Sequence, residues 1–157
     1  MEDLVYIDES GIEQNIYKAE CWGKKGIKVI GERSGSRKVR INMIAALNSK
    51  VIKAPIYFYG STDTEVICYW LEHHLIPELK AGQTVILDNA AFHKSIRVKE
   101  LIEKVGCKLL YLPPYSPDLN PIENYWAVVK RRIKKFRAKF DNIVDAVHFV
   151  LGLTYIQ

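Results

Sequence analysis

Apolar positions along this chain fall into short runs whose spacing changes after Gly60. Leu4-Val5-Tyr6-Ile7 is a continuous apolar run that ends at Asp8 and predicts a short buried strand over 4–8. Residues 17–29, with glycines at 23 and 26, predict a strand, a turn and a return. Val39, Ile41, Met43, Ala45 and Leu47 then alternate with Arg40, Asn42, Ile44 and Ala46, a period of two that predicts another strand. After a turn at 48–50, residues 55–59 continue as a further strand. These pieces lie close in sequence, so antiparallel pairing is the simplest arrangement.

Beyond Gly60 the period lengthens. Thr62-Asp63-Thr64-Glu65 has capping-box spacing, and Val66, Ile67, Tyr69, Trp70 and Leu71 follow, which predicts a helix to about Pro77. Residues 84–87 form a short apolar strand ending at Asp88, 94–105 a helix closed by Gly106, and 107–112 a further buried strand. The run Pro113-Pro114-Tyr115-Ser116-Pro117 must be a loop. A long helix starts near Asn120 and a last one covers about 141–151. Strand-helix-strand units need parallel crossovers. The expected fold class is therefore α/β: a mixed five-stranded sheet, three antiparallel strands then two parallel ones, with helices on both faces. No repeat, low-complexity tract or linker interrupts it, so a single domain over 1–157 is expected.

Composition narrows the setting. At 157 residues and 48% hydrophobic, the chain can bury one full core. It has no apolar run of membrane-spanning length and does not open like a signal peptide. Cys21, Cys68 and Cys107 are odd in number and far apart, which fits free thiols in a reducing cytoplasm better than a zinc site or disulfide framework. The net charge of +5 is unevenly spread. Residues 1–16 carry five acids and no base, whereas 130–139 carry seven bases and no acid: Lys130, Arg131, Arg132, Lys134, Lys135, Arg137 and Lys139. A smaller basic stretch includes Lys24, Lys25, Lys28, Arg33, Arg37, Lys38 and Arg40. An acidic pole beside basic stripes suits a metal site working on a polyanion, although many solvated helices are also basic.

Three carboxylates stand at the ends of predicted elements. Asp8 ends the first strand; it is either a ligand or the cap of a turn at Ser10-Gly11. Asp88 is delivered by Val85-Ile86-Leu87 to a strand's C-terminal end, the edge where ligands bind in open α/β sheets. Its other reading, as cap of the next helix, is weakened because that helix begins nearer Lys94. Glu123 falls at the third helical position after Asn120 and Pro121, where a capping-box glutamate belongs. A metal ligand can occupy the same place, since a helix N-terminus favours negative charge. Ile122, Tyr125, Trp126, Val129, Ile133, Phe136 and Phe140 follow at helical spacing as a core stripe. Three carboxylates on three elements can bind two Mg²⁺ or Mn²⁺ ions roughly 3.5–4 Å apart, the arrangement for in-line displacement at phosphorus.

Taken together, Tyr6-Ile7-Asp8-Glu9-Ser10, Leu87-Asp88-Asn89 with His93, and Leu112-Pro113-Pro114-Tyr115-Ser116-Pro117-Asp118-Leu119-Asn120-Pro121-Ile122-Glu123 resemble the DDE transposases. The branch they resemble most is that of bacterial insertion sequences related to mariner elements, including the 34 residues between Asp88 and Glu123 and the turn Cys21-Trp22-Gly23-Lys24-Lys25-Gly26. The resemblance runs from about residue 4 to 150, and its proline-rich run into Glu123 is its most specific part. It implies an RNase H-like fold and Asp8, Asp88 and Glu123 as the catalytic, metal-binding triad. It implies supporting or DNA-positioning roles for Asn89, His93, Tyr115 and Asn120; for His93 a plain hydrogen-bonded helix-start histidine is an equal reading. His73, His74 and His148 receive no role.

The expected activity is metal-dependent cleavage and strand transfer at transposon ends. The partners are transposon-end and target DNA, a homodimer on DNA, and no membrane. DNA contacts are expected from Lys24, Lys25, Lys130, Arg131, Lys134 and Lys135, and the location is the cytoplasm, associated with the nucleoid. Relatives of full length carry an N-terminal helix-turn-helix region, which is expected to be absent here because Asp8 stands so near the start. Such a chain would lack sequence specificity, since phosphate contacts carry none. The alternatives are another RNase H-like nuclease acting on RNA–DNA hybrids or junctions, and a domesticated DNA-binding remnant without catalysis.

Overall fold

The computed structural model describes residues 3–15 and 38–152. Strands β1 (Leu4–Asn15), β2 (Lys38–Asn48), β3 (Val51–Tyr59), β4 (Thr84–Leu87) and β5 (Lys108–Tyr111) form one sheet in the order β3-β2-β1-β4-β5. The first three pair antiparallel, and β4 and β5 add in parallel, as expected. The β2–β3 turn is a two-residue hairpin with Ser49 (φ 47°) and Lys50 (φ 68°) both left-handed, which matches strand twist. Pro55 has no N–H for a ladder and sits on the edge strand β3. The expected strand and return over 17–29 lie outside the described residues.

Helices cover both faces. On one, α1 (Thr64–Trp70) and α2 (Ile96–Lys104) pack on Val5, Ile7, Ile44, Ala46, Val85 and Leu87. On the other, α3 (Ile122–Phe136) and α4 (Ile143–Leu151) pack on Ile41, Met43 and Ala45. This double coverage explains why β2 and β4 are apolar on both sides. The helix expected to run to Pro77 is α-helical only through Trp70. It continues as a π turn over Leu71–Leu75 and a 3₁₀ turn over Ile76–Glu78, because Pro77 has no N–H for an i→i−4 bond. No helix among the described residues is long and apolar enough to cross a membrane.

One difference bears on the site. β1 does not end at Asp8 but runs on to Asn15, with Asp8 paired to Ala45, Ser10 to Met43 and Gly11 to Asn42. Asp8 therefore caps no turn at Ser10-Gly11. On its other side β1 pairs with β4 only from Leu4 to Tyr6. The long strand thus leaves an open edge from Asp8 outward, and the parallel register, carried two residues further, brings Asp88 level with it.

Candidate active site

Alternation along β1 decides where its acids point. Val5 and Ile7 enter the core under α1 and α2, so Glu9 follows them to that face, while Asp8 turns toward α3. Asp88 lies one residue past β4. Glu123 is in the first turn of α3, placed there by the proline-rich loop and by Asn120, whose Oδ1 accepts from the Ile122 N–H (3.4 Å). The N–H of Asn120 is taken by the Pro117 carbonyl (2.9 Å), so the expected capping box is not closed by Glu123, which stays exposed.

These elements enclose an open cavity of about 490 Å³. Asp8, Asp88 and Glu123 all line it, together with Asn89, Asn120 and the loop from Leu112 to Pro117. Tyr115 stands fully exposed on that loop with a left-handed backbone (φ 56°). His93, in contrast, is wholly buried behind Asp88. Its Nδ1 lies 2.6 Å from Asp88 Oδ1 and its Nε2 lies 2.7 Å from Glu9 Oε1. Asp88 Oδ1 also accepts from the Ala90 N–H at 2.9 Å. Sequence reading missed Glu9; the signal was there in strand alternation, which sends two adjacent acids to opposite faces of β1.

The charge balance of the cavity follows from this geometry. Asp8 is only 7% exposed, and burial, then the charges of Glu123 and Glu9, push its carboxyl up to about 8. Asp88 is held below its ordinary value, chiefly by the His93 hydrogen bond and against its own burial. Burial alone would lower His93, but hydrogen bonds to Asp88 and Glu9, and their charges, outweigh it and raise the imidazole to about 9. An excess of carboxylates, one of them forced to keep its proton, is the donor chemistry of a hard divalent cation. Glu9, Asp88 and His93 also bring side-chain N and O atoms within 4.8 Å of one another.

None of the described lysines or arginines lines the cavity. Lys130 is half-buried and Arg131, Lys134 and Lys135 are exposed along α3, with the Lys135 ammonium 5.7 Å from the Phe136 ring centre. Lys24 and Lys25 lie outside the described residues.

Comparison with known proteins adds the family. Residues 3–145 match the family model described as DDE superfamily endonuclease. The Tcb1 transposase of Caenorhabditis briggsae is 42% identical over 87 residues, 53% of this chain and 32% of its own length. The Tc3 transposase of Caenorhabditis elegans is 27% identical over 120 residues, 76% of this chain and 33% of its own. The C. briggsae Tcb2 transposase is 41% identical over 63 residues, 37% of this chain and 23% of its own. The chain thus spans between 23% and 33% of the length of these relatives. Among solved structures, the catalytic core domain of BIV integrase superposes with a TM-score of 0.59 at 12% identity, covering 96% of this chain and 82% of that one. A simian T-cell lymphotropic virus intasome, in complex with PP2A regulatory subunit B56 gamma, gives 0.61 at 13% identity, covering 99% and 50%. These two likenesses bear on the fold, which is RNase H-like.

Proposed function

The chain belongs to the DDE superfamily endonuclease family, and from that premise we propose that it is the catalytic domain of a transposase that cuts DNA at transposon ends and joins it to target DNA. The observation that carries this reading is the convergence of Asp8, Asp88 and Glu123, from three separate elements, on one open cavity. In it these three carboxylates would hold two Mg²⁺ or Mn²⁺ ions. Bound there, the ions supply Lewis acidity to activate a nucleophile and stabilise a leaving oxygen on phosphorus. Asp8 would serve as a ligand in its deprotonated form. Asn89, Tyr115 and Asn120 border the path of the DNA strand, and His93 steadies Asp88. We assign the chain to the insertion-sequence branch related to mariner elements, acting in the cytoplasm at the nucleoid as a dimer that brings two ends together. Residues 1–157 are read as one catalytic unit. Recognition of a particular end sequence is assigned to a separate DNA-reading region, because contacts to phosphates carry no sequence.

The test is a cleavage assay on duplex DNA and on RNA–DNA hybrid, each with Mg²⁺, Mn²⁺ or a chelator. Nicking or strand transfer on duplex DNA that stops with chelator is the expected result. Cleavage confined to the hybrid would replace the transposase reading with that of another RNase H-like nuclease. DNA binding without cleavage under any metal would leave a binding module.

The basic face of α3 makes its own prediction. Changing Arg131, Lys134 and Lys135 together to alanine removes three exposed charges without touching the core. Binding should weaken about equally for all DNA sequences, and the slope of log affinity against log salt should flatten by about 2–3. An unchanged slope in a filter-binding or anisotropy titration would make this face merely solvated.

A further inference from the structure

Glu9 points away from the cavity, yet it is tied to it. Asp88 lies beyond the last residue of β4, and its side chain is 44% exposed, so nothing in the sheet ladder fixes its rotamer. What fixes it is a pair of hydrogen bonds on one oxygen, Oδ1, from the Ala90 N–H and from His93. The imidazole is in turn held on every side. Its backbone lies in the 3₁₀ turn Ala91–Lys94, its carbonyl accepts from the Tyr111 hydroxyl at 2.8 Å, and its ring packs edge-on to Phe92. The last contact is Nε2 to Glu9 Oε1 at 2.7 Å, from a side chain 14% exposed on a central strand paired on its far side to β2.

We propose that Glu9 is a positioning residue: acting through His93, it locks the Asp88 carboxylate with Oδ1 turned inward and Oδ2 left for the cavity. Two adjacent residues of β1 then serve one site from opposite faces of the sheet, Asp8 directly and Glu9 by way of the imidazole. The three groups are a clamp and not a second cation site. Both ring nitrogens are spent on carboxylate oxygens at hydrogen-bond distance, which leaves neither lone pair for an ion. Partners of this kind, one bond removed from a ligand, typically govern metal affinity by 10–100-fold. The inference rests on the reading of Asp88 as a metal ligand.

The test compares the whole chain with Glu9→Ala and Glu9→Gln by calorimetric Mn²⁺ titration, thermal unfolding in chelator, and NMR of the histidine ring N–H protons in metal-free protein. Glu9→Ala is expected to bind Mn²⁺ about tenfold more weakly and to lose the protected Nε2–H signal of His93. Glu9→Gln keeps an acceptor oxygen and should recover most of both. A lower melting temperature with unchanged Mn²⁺ affinity in Glu9→Ala would make Glu9 structural only and overturn the proposal. Loss of Mn²⁺ in Glu9→Gln as complete as in Asp88→Asn would make Glu9 a ligand and overturn it as well. If the native chain takes up no Mn²⁺, the metal reading falls. The clamp is then judged on the ring proton alone: its loss in Glu9→Ala supports the clamp, and its survival there overturns it.

Discussion

Asp88→Asn is expected to slow metal-dependent DNA cleavage by roughly 10³-fold or more while the chain stays folded. The size follows from the chemistry. A catalytic metal supplies several kcal/mol of transition-state stabilisation, and each 1.36 kcal/mol is a factor of ten. Asparagine is the informative replacement because it removes charge and keeps shape. Its amide oxygen can still accept from the Ala90 N–H and from His93. Alanine would leave the buried imidazole short of one of its two partners and mix a folding defect into the result. Single-turnover cleavage with Mg²⁺, beside thermal unfolding in chelator, separates the two effects. A rate within tenfold of native would remove Asp88 from the catalytic centre. A comparable loss is expected for Glu123→Gln, which is exposed and carries no comparable risk to the fold.

Much of the fold was legible because its elements are simple in period. Val85-Ile86-Leu87 is buried on both faces and reads as an interior strand, and β2 alternates while feeding both cores. One helix end was legible from its closing glycine, Gly106, which stands just past α2 with a left-handed backbone (φ 78°); the caps Ser95, Asn142 and Gly152 were legible only in the structure. The failures were physical. The outer half of β1, Asp8-Glu9-Ser10-Gly11, looks like a strand end because it is polar. It stays extended because β2 supplies an antiparallel ladder along its whole length, a tertiary fact that local pattern does not contain. That misreading hid Glu9, whose partner His93 lies 84 positions away. The cavity-lining residues were legible from chemistry joined to a family resemblance. Spacing alone left Asp8 and Glu123 divided between a cap and a ligand.

Asp8→Asn is expected to raise the stability of the metal-free chain while abolishing its metal binding, and this opposition of sign is its value. In the folded, metal-free chain the Asp8 carboxyl is raised to about 8 by burial and by the charges of Glu123 and Glu9. In the unfolded chain it returns to about 3.9. The folded state therefore holds this proton more tightly. Its contribution to stability is complete below about pH 4, shrinks as pH rises, and is gone above about 8. Asparagine resembles the protonated acid and does not titrate. At pH 8 in chelator, Asp8→Asn should exceed native by up to about 5 kcal/mol, a difference that disappears near pH 4. Subtracting the two chains isolates Asp8 from every other titrating group. Adding Mn²⁺ at pH 8 should then stabilise the native chain by RT ln(1 + [L]/Kd) and leave Asp8→Asn unmoved, so that the order of the two melting temperatures reverses. A carboxylate kept for the fold would behave in the opposite way, losing stability when neutralised at pH 8. If Asp8→Asn melts below native there with no metal present, Asp8 is a structural acid, and the cavity has only two carboxylates to offer a cation.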